Sequence, residues 1–202
     1  MAKKLASLFG VAALIVFSAC GMFKPPTGPS FESGPEIPPY NRNDWQHWID
    51  EDGDCQDTRQ EVLIRDADGL LTFKPRADLR QCDVLSGRWI DPYSGAVFTN
   101  PSDIDIDHLV PLRNAHLSGG WAWDSARRRD YANYLQDVNH LIAVWDSLNQ
   151  SKGDKGPDRW KPPNQSYWCD YARAWESIKN RWLLSMTTAE AAAVGEMKKI
   201  CP

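Results

Sequence analysis

The stretch DIDIDHLVPL, residues 103–112, begins with a strict alternation of aspartate and isoleucine that ends in Asp107 and His108. Successive side chains of a strand point to opposite faces, so this period of two predicts a β-strand with one apolar and one acidic face. Solvent exposure of one strand face accounts for Asp103 and Asp105. It leaves open why the strand should end in an imidazole.

The start of the chain has the pattern of an export signal. Lys3 and Lys4 precede the apolar run LASLFGVAALIVF, which is too short for a membrane-spanning helix. Cys20 follows this run and resembles the cysteine of a bacterial lipobox, which implies a lipoprotein signal peptide over residues 1–19 and lipidation of Cys20. The alternative is ordinary cleavage near Ala19 and release of the protein.

Residues 20–41 follow the signal and contain six prolines, which predicts a stiff, extended linker. The globular domain is then expected over residues 42–202. Both routes of processing place this domain outside the cytoplasm, either lipid-anchored to a bacterial membrane or secreted.

The domain contains four cysteines, and in an exported protein an even number indicates disulfides. Four cysteines allow three pairings, of which sequence proximity favours Cys55–Cys82 and Cys169–Cys201. The sequence contains no CxxC pair, so a zinc knuckle is not expected.

Charge argues against a protein that coats nucleic acid. The formal net charge is −4, and removal of Lys3 and Lys4 with the signal makes it about −6. A local basic patch is still compatible with an enzyme that must release its substrate.

The periodicity of the domain predicts a mixture of helices and strands. Helices are predicted over residues 57–65, 124–135 with Asp124 as N-cap, 147–155, 171–184 and 187–200 with Thr187 or Thr188 as cap. Strands are predicted over residues 71–75, 95–100, 103–110 and 140–145, and GRWIDPYSG is expected to form a strand that enters a turn.

Three of these segments occur in an order that resembles the HNH, or ββα-metal, nucleases. DIDHLVP ends its strand in Asp-His, VNHLIAV places an asparagine before a second strand, and SLNQSKGDK places an asparagine at the start of a helix. The motifs CQDTRQEVLIRD and CDVLSGRWIDPYSG extend the resemblance to exported bacterial HNH proteins related to the C-terminal domain of the GmrSD restriction endonucleases.

This resemblance covers roughly residues 40–201. It implies an α+β fold with a ββα-metal (HNH, or His-Me finger) core, a long inter-strand loop, flanking helices, short N-terminal strands and two disulfides.

The resemblance also implies the roles of the site residues. His108 would be the general base that activates water, since a neutral imidazole takes up a proton near pH 7. Asp107 and Asn149 would bind one divalent cation, Mg²⁺ first and Mn²⁺ or Zn²⁺ as alternatives, because hard cations prefer oxygen ligands. Asn139 would orient His108. Because Asp107 and His108 are adjacent, the strand must bend or end there for both to face one ion.

Basic residues around the third motif are predicted to contact phosphate. Lys152 lies three residues after Asn149, on the same helical face, and is assigned to the catalytic set. Lys155, Arg159 and the more distant Arg59 are assigned to substrate binding. His140 is interpreted as a surface residue.

The sequence therefore predicts a metal-dependent endonuclease that acts on DNA, or alternatively RNA, with little sequence preference. The protein is expected to contact the membrane through the lipid anchor, and no protein partner is predicted. The competing hypothesis is a non-catalytic envelope lipoprotein that uses the fold as a binding or scaffold module.

Overall fold

A computed structural model of the protein describes residues 36–202. The predicted signal peptide, the lipidation of Cys20 and most of the predicted linker lie outside the described residues. Within residues 36–202, every helix is too short or too polar to span a lipid bilayer.

Helices and short antiparallel strands share the described chain, which confirms the predicted α+β class. The helices are α1 Thr58–Arg65, α2 Leu112–Leu117, α3 Ser125–Ala132, α4 Asp146–Lys152, α5 Trp168–Arg181 and α6 Thr188–Met197. The strands are β1 Thr72–Phe73, β2 Val84–Ser86, β3 Trp89–Ile90, β4 Val97–Phe98, β5 Ile104–His108 and β6 Leu141–Trp145. The strands pair as β1 with β2, β3 with β4 and β5 with β6.

The longest ladder joins β5 to β6. The two strands are antiparallel, with Ile104 opposite Trp145 and His108 opposite Leu141. Residues 109–140 connect them and contain α2 and α3, and α4 begins at Asp146, directly after β6. The order is therefore strand, long connection, strand and helix.

Alternation along β5 divides its side chains between two surroundings. Ile104 and Ile106 are buried in one apolar cluster, where Val62 and Leu63 of α1 also lie. The side chains at positions 105 and 107 instead bond residues of α4. A period of two thus places the carboxylates toward one helix and the isoleucines toward another.

A second apolar cluster forms around α5. Tyr171, Trp175 and Ile178 of this helix are fully buried and pack in the same cluster as Ile142 and Val144 of β6. Burial of each large apolar side chain contributes about 1.5–3 kcal/mol. The β5–β6 ladder therefore contributes side chains to both cores, and its position is fixed from both sides.

Side-chain caps are present in helices whose starts were predicted closely. Asp124 accepts a hydrogen bond from the Arg127 amide at the start of α3, and Thr187 forms a capping box with Glu190 at the start of α6. In contrast, α2 and α5 have no side-chain cap at their N-termini. Helix α2 was not predicted, and α5 begins three residues before its predicted start. Strand β2 was not predicted either.

Both predicted disulfides are confirmed. Cys55–Cys82 connects the segment before α1 to the segment before β2, and Cys169–Cys201 ties α5 to the C-terminus. The second bridge keeps the last turns of the chain against the core, where Val194 and Met197 of α6 are buried.

We expect removal of the Cys169–Cys201 bridge, by Cys169→Ser with Cys201→Ser, to lower the free energy of unfolding. The bridge spans 32 residues, and closing a loop of this length stabilises a fold by about 3–4 kcal/mol. Urea unfolding followed by circular dichroism measures the change. A loss below about 1 kcal/mol would show that the bridge does not stabilise the domain as this loop-closure model requires.

Candidate active site

One cleft brings together residues from distant segments of the chain. Its volume is about 430 Å³, and its lining includes Asp107 and His108 from β5 and Asn149 from α4. Three predicted site residues thus share one cavity, although α2, α3 and β6 separate the two strand residues from Asn149 along the chain. The other lining residues are Tyr40, Arg42, Ile106, Pro111, Leu112, Arg113, Gln150, Gly153 and Asp154.

His108 is held in the form that a general base requires. Its Nε2 donates a hydrogen bond to the carbonyl oxygen of Ala132 at 2.9 Å, which leaves Nδ1 as the nitrogen without a proton. The ring stacks on Trp48, with the ring centres 5.7 Å apart. Burial, reinforced by the nearby His140, lowers the pKa of His108 well below its usual range. The imidazole is therefore neutral at pH 7, and its ring plane is fixed.

Asp107 lies in a buried ion pair with Lys152. The Lys152 ammonium is 2.8 Å from the carboxylate and 3.0 Å from the carbonyl oxygen of His108. Tyr93 donates a further hydrogen bond to Oδ2 of Asp107 at 2.5 Å. Burial raises the pKa of Asp107 and lowers the pKa of Lys152, and the attraction between the two charges opposes both shifts. One lysine thus holds a carboxylate and the backbone of the next residue.

This position of Lys152 differs from the predicted phosphate contact. The side chain is fully buried, and its ammonium faces β5. The helical spacing correctly placed Lys152 on the same face of α4 as Asn149, but that face packs on the strand. The Lys152 ammonium is therefore not exposed to a phosphate in the cleft.

Asn149 bonds the neighbouring acidic residue of β5. Its Nδ2 donates to Oδ2 of Asp105 at 3.1 Å. Within residues 36–202, no group donates a hydrogen bond to Oδ1 of Asn149. The amide oxygen is therefore the end of this side chain that is open to another ligand.

Asn139 makes no hydrogen bond to His108 in the described part of the chain. It is exposed in the turn before β6, where its backbone amide donates to Asp137 at 3.1 Å. The next residue, His140, is buried rather than on the surface, and its carbonyl oxygen accepts from the amide of Leu109 at 3.1 Å. The contact that ties this turn to the end of β5 is thus made by the backbone of His140.

The predicted substrate-binding residues do not line the cleft. Arg59 donates to the carbonyl oxygens of Pro101 and Ile104, and so holds the start of β5. Lys155 donates to the carbonyl oxygen of Ser151, and Arg159 is exposed beside Asp158.

The arginines that line the cleft are Arg42 and Arg113, which were not predicted as site residues. Arg113 follows the DHLVPL motif directly and pairs with Asp154 at 2.8 Å. Its closeness to the motif was a usable signal, whereas Arg42 reaches the cleft only through the tertiary fold.

We expect Lys152→Met to destabilise the protein strongly, because it leaves the buried carboxylate of Asp107 without a counter-charge. Breaking one partner of a buried pair costs about 3–5 kcal/mol. The double variant Asp107→Asn with Lys152→Met should lose clearly less than the sum of the two single changes. Urea unfolding of the four proteins at pH 7 measures this coupling, and Lys155→Met is the control. Equal effects of the two lysine variants would contradict the buried pair.

Stability should also fall in acid through His140. Burial lowers the pKa of His140 to about 4, whereas an unfolded chain has a histidine pKa of about 6.5. The unfolded state therefore binds more protons, and stability present above pH 6.5 is lost as the pH falls toward 4. His140→Gln removes this titration. The free energy of unfolding of the variant should therefore fall by about 2–3 kcal/mol less than that of the unmodified protein between pH 7 and pH 4.5. Identical pH dependence of both proteins in urea unfolding would refute this role.

Comparisons with known proteins identify the family. The model of the family described as GmrSD restriction endonucleases, C-terminal domain, matches residues 57–197. An uncharacterized secreted protein of Arthroderma benhamiae is 45% identical over 162 residues, which cover 80% of this chain and 76% of that protein. No solved structure gives a significant match. The family match includes β5, β6 and α4 with all the residues that they contribute to the cleft. The chain therefore belongs to the family of GmrSD restriction endonuclease C-terminal domains.

Proposed function

We propose that this protein is a divalent-metal-dependent endonuclease of the HNH type that hydrolyses phosphodiester bonds of nucleic acid. One observation carries the proposal: Asp107, His108 and Asn149, which come from a strand and a helix separated along the chain, line a single cleft. Membership of the GmrSD C-terminal family supports a nuclease activity.

His108 is the general base of the proposed reaction. Nδ1 takes a proton from the attacking water, while the Nε2–H bond to Ala132 fixes the ring and its tautomer. The low pKa of the buried imidazole keeps Nδ1 unprotonated at neutral pH.

The donor set fits a hard divalent cation. Asp107 and Asn149 offer carboxylate and amide oxygens, which suit Mg²⁺ or Mn²⁺ better than Zn²⁺. Each carboxylate oxygen has two lone pairs, and among the described residues Oδ1 of Asp107 receives a hydrogen bond from Lys152 alone. When bound, the cation would neutralise the phosphate and stabilise the leaving oxygen.

Lys152 acts by positioning in this proposal. Its ammonium bonds both the carboxylate of Asp107 and the carbonyl oxygen of His108. It therefore fixes the position of Asp107, the proposed cation ligand, relative to His108, the proposed base. Lys152 itself is fully buried.

The proposed substrate is DNA, which the protein would cleave with little sequence preference, and RNA is the alternative. Arg42 and Arg113 at the cleft suit the phosphates of either polymer. The secreted relative supports a site of action outside the cytoplasm. Anchoring through a lipid on Cys20 is part of the same proposal.

Plasmid nicking in Mg²⁺ or Mn²⁺ tests the function. We expect His108→Ala to reduce the rate by about 10²–10⁴, the usual contribution of a general base, and EDTA to stop the reaction until the metal is restored. Asp103→Asn, which changes an aspartate just before β5, is the control and should keep the rate. An RNA substrate in parallel decides between the two polymers.

Two results would contradict the proposal. Full activity of a clean, folded His108→Ala preparation would exclude His108 as the general base. Activity in EDTA would exclude a required metal ion. Absence of cleavage with every metal and substrate would favour the scaffold hypothesis.

A further inference from the structure

Asp105 is a carboxylate of β5 with no role in the function proposed above. It lies on the same side of the strand as Asp107 and is partly buried. Its Oδ2 accepts a hydrogen bond from Nδ2 of Asn149 at 3.1 Å. Asn149 lines the cleft, whereas Asp105 is not among the lining residues.

This hydrogen bond selects one of two orientations of an amide. The nitrogen of an asparagine side chain only donates, its oxygen only accepts, and an ionised carboxylate only accepts. A carboxylate at position 105 therefore attracts Nδ2 and repels Oδ1. The amide oxygen of Asn149 is directed away from Asp105, and no group of the described chain donates to it.

We propose that Asp105 is a positioning residue that keeps the amide oxygen of Asn149 available to the cation. The inference rests on the proposed metal site and adds a residue that acts through a ligand. With the amide reversed, its NH₂ group would face a positive ion and its oxygen would face the Asp105 carboxylate. Both contacts are repulsive, so the carboxylate and the cation favour the same orientation.

Mn²⁺ binding to the protein without nucleic acid tests the inference, with electron paramagnetic resonance as the readout. Loss of a group that orients a metal ligand typically lowers metal affinity by about 10–100-fold. We expect this loss for Asp105→Asn, because an amide at position 105 can bond either end of the Asn149 side chain. Asp105→Glu keeps a carboxylate and should retain more affinity.

Asp103→Asn is the matched control. It removes the same charge two positions away, from a side chain that makes no hydrogen bond to Asn149 in the described structure. Its effect on Mn²⁺ affinity should therefore stay below about twofold, as for independent sites.

The decisive comparison repeats Asp105→Asn in an Asn149→Asp background. A carboxylate at position 149 presents oxygen in either orientation, so it needs no orienting partner. Asp105→Asn should then cost little, and the difference between the two backgrounds measures the coupling. Equal losses in both backgrounds would overturn the inference in favour of a direct ligand or a general charge effect. No loss in the original background would overturn it as well.

Failure of the inference is distinguishable from failure of the proposed function. If the unmodified protein binds no Mn²⁺, the metal site and the inference both fail. If it binds Mn²⁺ and Asp105→Asn binds equally well, only the inference fails. Thermal unfolding checks that each variant is folded, and Asp105→Ser replaces Asp105→Asn if that variant does not fold.

Discussion

A buried ion pair between Asp107 and Lys152 holds the cleft in place. Desolvation of two charges is costly, and it is offset only when the partners are close and their remaining hydrogen-bonding capacity is used. Here Tyr93 and the carbonyl oxygen of His108 use that capacity. The pair joins β5 to α4, so the helix that carries Asn149 is held against the strand that carries His108.

The end of β5 allows two adjacent residues to face one cavity. Ideal alternation sends Asp107 and His108 to opposite faces. The strand ends at His108, the chain bends at Leu109 and Val110, and α2 follows Pro111. Both residues line the cleft, which lies at this end of the strand. Family membership explains the order of the three motifs along the chain. The hydrogen bond to Ala132 explains the tautomer and orientation of the His108 imidazole.

Elements with strong local signals could be predicted from the sequence. Alternation predicted β5, caps predicted α3 and α6, and sequence proximity of the cysteines, in a chain predicted to be exported, predicted both disulfides. The order of three motifs, together with the family resemblance, predicted that Asp107, His108 and Asn149 meet in one site. Helix α2, which was not predicted, and helix α5, which begins three residues before its predicted start, both lack a side-chain cap at the N-terminus.

The partner of each polar side chain could not be predicted in the same way. Helical spacing put Lys152 beside Asn149, but packing of α4 on β5 turned its ammonium into the interior. The same packing placed Asp105 against Asn149, and the fold brought Arg42 to the cleft from the start of the domain. Burial and charge pairing depend on contacts between distant segments, and no local pattern contains that information.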